Sequence, residues 1–369
     1  MTTVTRHDGT LVGGLALLAA CSPGLPDLDG LSSWDGAHVS YYASPSLEPC
    51  KGTPTYVDAF VPFVAGELGI PTPTGLQYVW LDSTDLAQTD CVNHSCQISD
   101  FAVSPDPGHL HEVVHAVTWD NSMNQWPFFT EGIAVAYDPW NGDEMGPRYL
   151  IPVVPGEPLP DPRPMMLLPS ADSIPYGVPG SFVAFLLSRH GPERFVDFTR
   201  HLTLPRTLDN LQEMFRRAYG SELDAEVDLF MYGPPCDDDA FPVRVYDCAM
   251  PNVPWADAAQ WSYSDVMDCH EGDILGGIGL DAAWHSIRSV TLDVPTSGRY
   301  VLSAVSDNDV DVQIGACFGC PWEPRSFLVQ AGEAVDVDLD AGPYYVRIRA
   351  MSDESPTVDV WLFPDDGAL

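Results

Sequence analysis

Apolar and polar positions change their rhythm twice along this chain. From His38 to Ser104 strand-like runs at 38–43, 76–82 and 97–104 alternate with a helical period at about 55–69, which Pro62 perturbs. Two apolar-faced helices then follow, one around Val113, Ala116 and Val117 and one over Trp126–Tyr137. The proline-rich stretch 152–179 carries no period and predicts an irregular wall. Helical spacing returns at about 181–190, 192–202, 207–219 and 221–231, with Gly180 and Ser181 opening the first and Gly220 as a C-cap. After Gly233-Pro234-Pro235-Cys236 the period becomes alternating, as in 289–294, 335–339 and 344–349, and predicts a β-sandwich.

Within the first helix stands His111-Glu112-Val113-Val114-His115. Four residues turn an α-helix through slightly more than one circle, so His111 and His115 share a face and can share one metal ion. Glu112 falls beside them, where it can take a proton from an attacking water. Asp106 as N-cap and Pro107 at the first helical position predict the helix start. The second helix is apolar except for Glu131, an acid that is costly to bury unless a partner compensates it. Gly132, Ala134 and Ala136 are small enough for close helix packing, which would bring Glu131 to the histidine face. Two histidines, one glutamate and one open position form the donor set of a catalytic zinc.

HEVVH followed by WPFFTEGIAVAY resembles the gluzincins, the thermolysin and aminopeptidase N group, and more closely their peptidase-MA-like bacterial relatives. The resemblance implies His111, His115 and Glu131 as zinc ligands and Glu112 as the catalytic acid/base. Glu131 follows His115 by sixteen positions, a few fewer than in thermolysin or aminopeptidase N. It continues in Tyr176 to Leu187 and in Arg189-His190-Gly191-Pro192-Glu193, and it implies Tyr176, or else His190, as the oxyanion donor. The implied fold is an α+β zincin-like lobe with a mixed sheet and helices, followed by an all-β sandwich.

Composition sets the surroundings. A length of 369 residues with 45% hydrophobic content suggests two domains with ordinary cores. The net charge of −37, with Lys51 the single lysine, excludes nucleic acid and anionic membrane surfaces as partners. Arg6 and the apolar run Leu11–Ala20 read as a signal peptide, and Leu18-Ala19-Ala20-Cys21 resembles a lipobox. The expected plan is a signal peptide over 1–20, a lipid-anchored tether over 21–36, a metallopeptidase domain over 37–235 and a sandwich over 236–369. Export to the cell envelope, most simply the outer membrane, or secretion follows.

Of nine cysteines, Cys21 would carry lipid, leaving eight for disulfides. Cys91–Cys96, Cys236–Cys248 and Cys317–Cys320 are local options, and a structural zinc on Cys317, Cys320, Cys269 and His270 is the alternative. Asp307, Asp309 and Asp311 alternate as calcium ligands could, without an EF-hand pattern. The expected function is a zinc-dependent peptidase acting on peptides or proteins, with the membrane touched only through Cys21. The alternative is a surface lipoprotein that keeps the metal but acts as a binding or adhesion module.

Overall fold

In the computed structural model the described residues are 26–365, apart from 90, 92–94, 124–125, 139–156, 233–243, 257–259, 277–284, 318–325 and 352–354. The expected leader, Cys21 and the boundary at 235/236 lie outside them.

The first part combines β1 (Ser32–Asp35), β2 (Val39–Ala43), α1 (Thr53–Leu68), β3 (Leu76–Trp80), α2 (Ser83–Leu86), β4 (Cys96–Ile98) and β5 (Phe101–Ser104). The five strands form one mixed sheet in the order β1-β2-β3-β5-β4, with β2, β3 and β5 parallel and both edge strands antiparallel. A parallel pair needs a crossover, and α1 supplies it between β2 and β3. Its buried face carries Tyr56, Val57, Phe60, Val61, Val64 and Leu68, and left-handed Gly69 ends it.

The single strand expected at 97–104 is a hairpin. Ser99 turns at φ 58°, and Cys96 to Ile98 fold back onto Phe101 to Val103. That makes β4 an edge strand.

Helices fill the rest of this part: α3 (Leu110–Asp120), α4 (Pro127–Tyr137), α5 (Arg163–Met166), α6 (Gly177–His190), α7 (Pro192–His201), α8 (Leu208–Tyr219) and α9 (Leu223–Tyr232). Gly180 and Ser181 lie inside α6, one turn past its true start, whereas Gly220 does cap α8 in the left-handed conformation.

The expected start of α3 is corrected. Asp106 does not cap it, and His109 occupies the cap position without a side-chain bond. Three aromatic residues of the sheet hold the preceding chain out of the helix. Tyr41 donates to the Pro107 carbonyl at 2.7 Å, Tyr78 to that of Asp106 at 2.6 Å, and the Trp80 indole to that of Pro105 at 2.8 Å. The Tyr78 hydroxyl also accepts the His109 N–H at 2.7 Å, and so satisfies a donor at the helix entrance.

The second part holds β6 (Trp261–Val266), β7 (Leu275–Gly276), β8 (His285–Val294), β9 (Gly298–Ser306), β10 (Val310–Ala316), β11 (Ser326–Gln330), β12 (Ala334–Leu339), β13 (Gly342–Met351) and β14 (Thr357–Pro364). They form two antiparallel sheets, β11-β10-β13-β8-β7 and β12-β9-β14-β6. Their inward residues, among them Trp261, Leu292, Leu302, Ile314, Val346 and Val360, share one core. This is the alternation that the sequence shows.

Covalent and polar links join the parts. Cys50 is bonded to Cys269, the Gly52 N–H donates to the Ile274 carbonyl at 3.0 Å, and Tyr246 donates to the Tyr56 carbonyl at 3.0 Å. A β-carbon on Gly52 would stand 2.7 Å from the Ile274 oxygen, so only glycine allows the contact. Within the second part, Asp247 is buried against Arg347 at 2.5 Å and accepts from Ser289, which holds the turn that carries Tyr246.

The disulfides bear out one of the three local pairings and overturn the other two. Cys91–Cys96 forms as expected, but Cys248 pairs with Cys317, because the 3-10 turn at Tyr246–Ala249 packs against β8 and β13, next to the end of β10. With Cys269 and Cys317 both oxidised, no zinc site is left for Cys317, Cys320, Cys269 and His270. Cys236 and Cys320 lie outside the described residues. These bonds fit an oxidising, exported environment. Among the described residues no helix is long and apolar enough to cross a membrane.

The alternating aspartates do not converge on one point, in keeping with solvated acids, the reading favoured over calcium for this stretch. Asp311 pairs with Arg349 at 3.0 Å, Asp307 accepts the Thr357 N–H at 3.2 Å, and no acidic group gathers there among the described residues.

Replacing Tyr78 by Phe removes one donated and one accepted buried hydrogen bond. It should lower unfolding stability by about 1–3 kcal/mol, read by denaturant titration, whereas an unchanged midpoint would show that α3 does not depend on this clamp.

Candidate metal centre

Helix α3 carries His111 and His115 on one face, both buried. It packs on α1 and β5, so burial holds its β-branched Val113-Val114 pair in a helical conformation. Pro127 opens α4 after the extended Trp126, and Glu131 emerges on the turn that follows, 7% exposed.

His111 Nε2 lies 3.1 Å from Glu131 Oε2, His115 Nε2 lies 3.4 Å from the same oxygen, and the two imidazole nitrogens stand 3.0 Å apart. Ligands about 2.0–2.1 Å from a tetrahedral ion are separated by about 3.3 Å, so the three donor atoms fit one metal. They are the one such group among the described residues.

The helix contact that presents Glu131 differs from the expected one. Gly132 packs on α6 instead of α3: a β-carbon there would meet Val183 Cγ2 at 2.5 Å and the Pro179 oxygen at 2.7 Å. The glycine seats α4 on α6, and Glu131, one residue earlier, is turned to α3.

The electrostatics follow from this convergence. Burial alone would push His111 down, but its bond to Glu131 and the charges of Glu112, Glu131 and Asp138 hold it up at about 9. Burial would raise Glu131, yet His115 and His111 keep it well below the usual carboxylate range. His109 falls to about 3, through burial and through the charges of His111 and His115. Its Nδ1 lies 2.5 Å from Ser95 Oγ. Asp106, expected as a helix cap, is raised to about 6 by burial and by the nearby charge of Asp138.

A cleft of about 330 Å³ opens on the cluster. Glu112 lines it, 6% exposed, and so do Tyr176, Ser95, Gln97, Trp119 and Arg206. Tyr176 is 39% exposed at the start of α6, with its ring centre 5.5 Å from that of His111. His190, the other oxyanion candidate, does not line the cleft. It lies 3.3 Å from Glu226, with its ring tilted against that of Tyr219.

The fold brings His111, Glu112, His115, Glu131 and Tyr176, each expected from the sequence, to one place. Ser95, Trp119, Arg206 and the buried Asp138 were not expected there. Trp119 was open to detection, because it continues the face of His111 and His115 by one more helical turn and is 49% exposed. The others depend on tertiary contacts.

No family model matches this chain, and no curated protein matches it. Among solved structures it is similar to Legionella pneumophila aminopeptidase A in complex with aspartic acid, at 8% identity and a TM-score of 0.33, over 84% of this chain and 36% of that one. The chain thus spans about a third of that aminopeptidase. A second likeness is to the pre-peptidase C-terminal domain of collagenase from Bacillus anthracis, at 9% identity and a TM-score of 0.22, over 31% of this chain and 93% of that one. A third is to PliG of Salmonella Typhimurium, a periplasmic lysozyme inhibitor of g-type lysozyme, at 13% identity and a TM-score of 0.18, over 31% and 97%. Scores this low carry no argument, and the functional case stands on the cluster itself.

Because His111 keeps its proton up to about pH 9 in the metal-free cluster, a divalent ion must displace that proton below this pH. Apparent affinity for a cobalt(II) probe should rise about tenfold per pH unit from about pH 7 to 9, with about one proton released per ion in calorimetry across buffers. Affinity independent of pH over this window would contradict the assignment.

Proposed function

We propose that this protein is a zinc-dependent peptidase of gluzincin type, exported and held at the cell envelope by lipid on Cys21. The carrying observation is the convergence of His111 Nε2, His115 Nε2 and Glu131 Oε2 at 3.0–3.4 Å beside Glu112, in a cleft open to substrate. Two imidazoles and a carboxylate at this spacing suit tetrahedral zinc better than oxygen-seeking magnesium or calcium.

Zinc held there supplies Lewis acidity to a carbonyl and acidity to a water molecule. Glu112 is the base that takes the water's proton and returns it to the departing amine. It does not share the ligand face, so its carboxylate remains available for proton transfer. Tyr176, at the cleft wall, is placed to donate a hydrogen bond to the oxyanion as the carbonyl becomes tetrahedral.

A peptide substrate is favoured by β4. This edge strand pairs only with β5 among the described strands, and its Cys96 and Gln97 line the cleft, so an extended chain can add to the sheet there. The Cys91–Cys96 bond and the pairing of Cys96 with Val103 hold that edge in place.

Glu112→Gln should keep one zinc per chain and the wild-type unfolding midpoint while peptide cleavage falls by a factor of about 10²–10⁴. Tyr176→Phe should lower kcat by about ten- to a hundredfold with little change in KM. Zinc bound stoichiometrically with no cleavage across a broad peptide panel would refute the enzyme and favour the binding module. The anchor is tested separately, since Cys21→Ser should move the chain from the detergent to the aqueous phase on partitioning.

A further inference from the structure

The cleft holds one charged group that the proposed chemistry does not use. Arg206, in the connection between α7 and α8, is the only arginine or lysine among the described residues that line it. The chain has 16 basic residues against 53 acidic ones, so a cation at this spot runs against the overall charge. The acids lining the same cleft, Glu112 and Glu131, are the proton acceptor and a ligand.

Arg206 is half-buried, and its Nη1 donates to the Pro169 carbonyl at 3.1 Å. That carbonyl belongs to the segment leading to Ala171 and Tyr176, both on the cleft wall. That bond ties one edge of the guanidinium to the cleft wall, and the planar fork of such a group matches the two oxygens of a carboxylate. A net charge of −37 disfavours acidic groups near the surface, and Arg206 is a cation away from the His111/His115/Glu131 cluster that can offset this for a carboxylate in the cleft.

We infer that Arg206 binds a carboxylate of the substrate, an inference that rests on the peptidase reading and narrows its substrates to peptides bearing an acid. The acid is either the C-terminal carboxylate of the chain or an Asp or Glu side chain near the cleaved bond. β4 guides the extended backbone past the ligand cluster, and Arg206 engages the acid on the helical side of the cleft.

The test uses the full chain carrying Glu112→Gln and three labelled tetrapeptides of one sequence: a free acid, its C-terminal amide, and the amide with one residue changed to Glu. Binding is measured at fixed ionic strength, with and without zinc. One acidic peptide should bind roughly tenfold more tightly than the neutral amide, and which one does so identifies the source of the carboxylate. Adding Arg206→Gln should abolish the difference, Arg206→Lys should restore part of it, and zinc removal should leave the ratio in place. A ratio that survives Arg206→Gln, a ratio lost with zinc, or no binding by either acidic peptide overturns the inference. Absence of cleavage by the wild-type chain, with this discrimination intact, would remove the peptidase reading and leave the carboxylate site standing.

Discussion

Two imidazole nitrogens and a carboxylate oxygen meet within 3.4 Å of one another on buried side chains at the floor of an open cleft, and much of the first part of the chain follows from that. One proton can bridge only one of these gaps, and two neutral imidazoles that face each other leave lone pairs opposed. The carboxylate holds His111 protonated, which compensates its own buried charge. A divalent ion would answer all three atoms at once. Such a cluster can persist only where its supports are rigid, since a shift of an ångström in either helix would separate the atoms.

The supports come from elements distant in sequence. Tyr41, Tyr78 and Trp80 bind three successive carbonyls ahead of α3 and so fix where that helix starts. Gly132 lets α4 approach α6 closely enough to turn Glu131 towards α3. The Cys91–Cys96 bond closes the loop before the edge strand that borders the cleft. Farther away, Cys50–Cys269 and the bond from Tyr246 to the Tyr56 carbonyl tie the helical part to the β-rich part, inside which the buried Asp247–Arg347 pair fixes the Tyr246–Ala249 turn on β13. Removing one partner of that pair would leave a buried charge uncompensated, at a cost of about 3–5 kcal/mol.

Local pattern carried much of this into the sequence. Helical spacing placed His111, Glu112 and His115 together, and a lone acid in an apolar helix pointed to Glu131. Alternation gave the strands at 289–294, 335–339 and 344–349. What local pattern could not show was decided between elements. Asp106 and Pro107 read as a helix start, yet the sheet aromatics claim that stretch first. Gly132 marked a close packing, but the partner helix lies some fifty residues downstream, beyond any local period. Cys248 found Cys317 through the turn packed on β8 and β13, not through short spacing. Arg206 and Asp138 carry no periodic signal, and only the folded chain shows that they belong to the site or its surroundings.

Every role proposed for the cleft requires that His111, His115 and Glu131 hold one zinc ion together. X-ray absorption at the zinc edge on the purified full chain addresses it directly. The structure predicts nitrogen and oxygen neighbours at about 2.0–2.1 Å, the outer-shell signature of two imidazoles, and no sulfur. Glu131→Gln should change that first shell while the two-imidazole signature persists. Sulfur neighbours at about 2.3 Å, or a spectrum that does not respond to Glu131, would contradict the account.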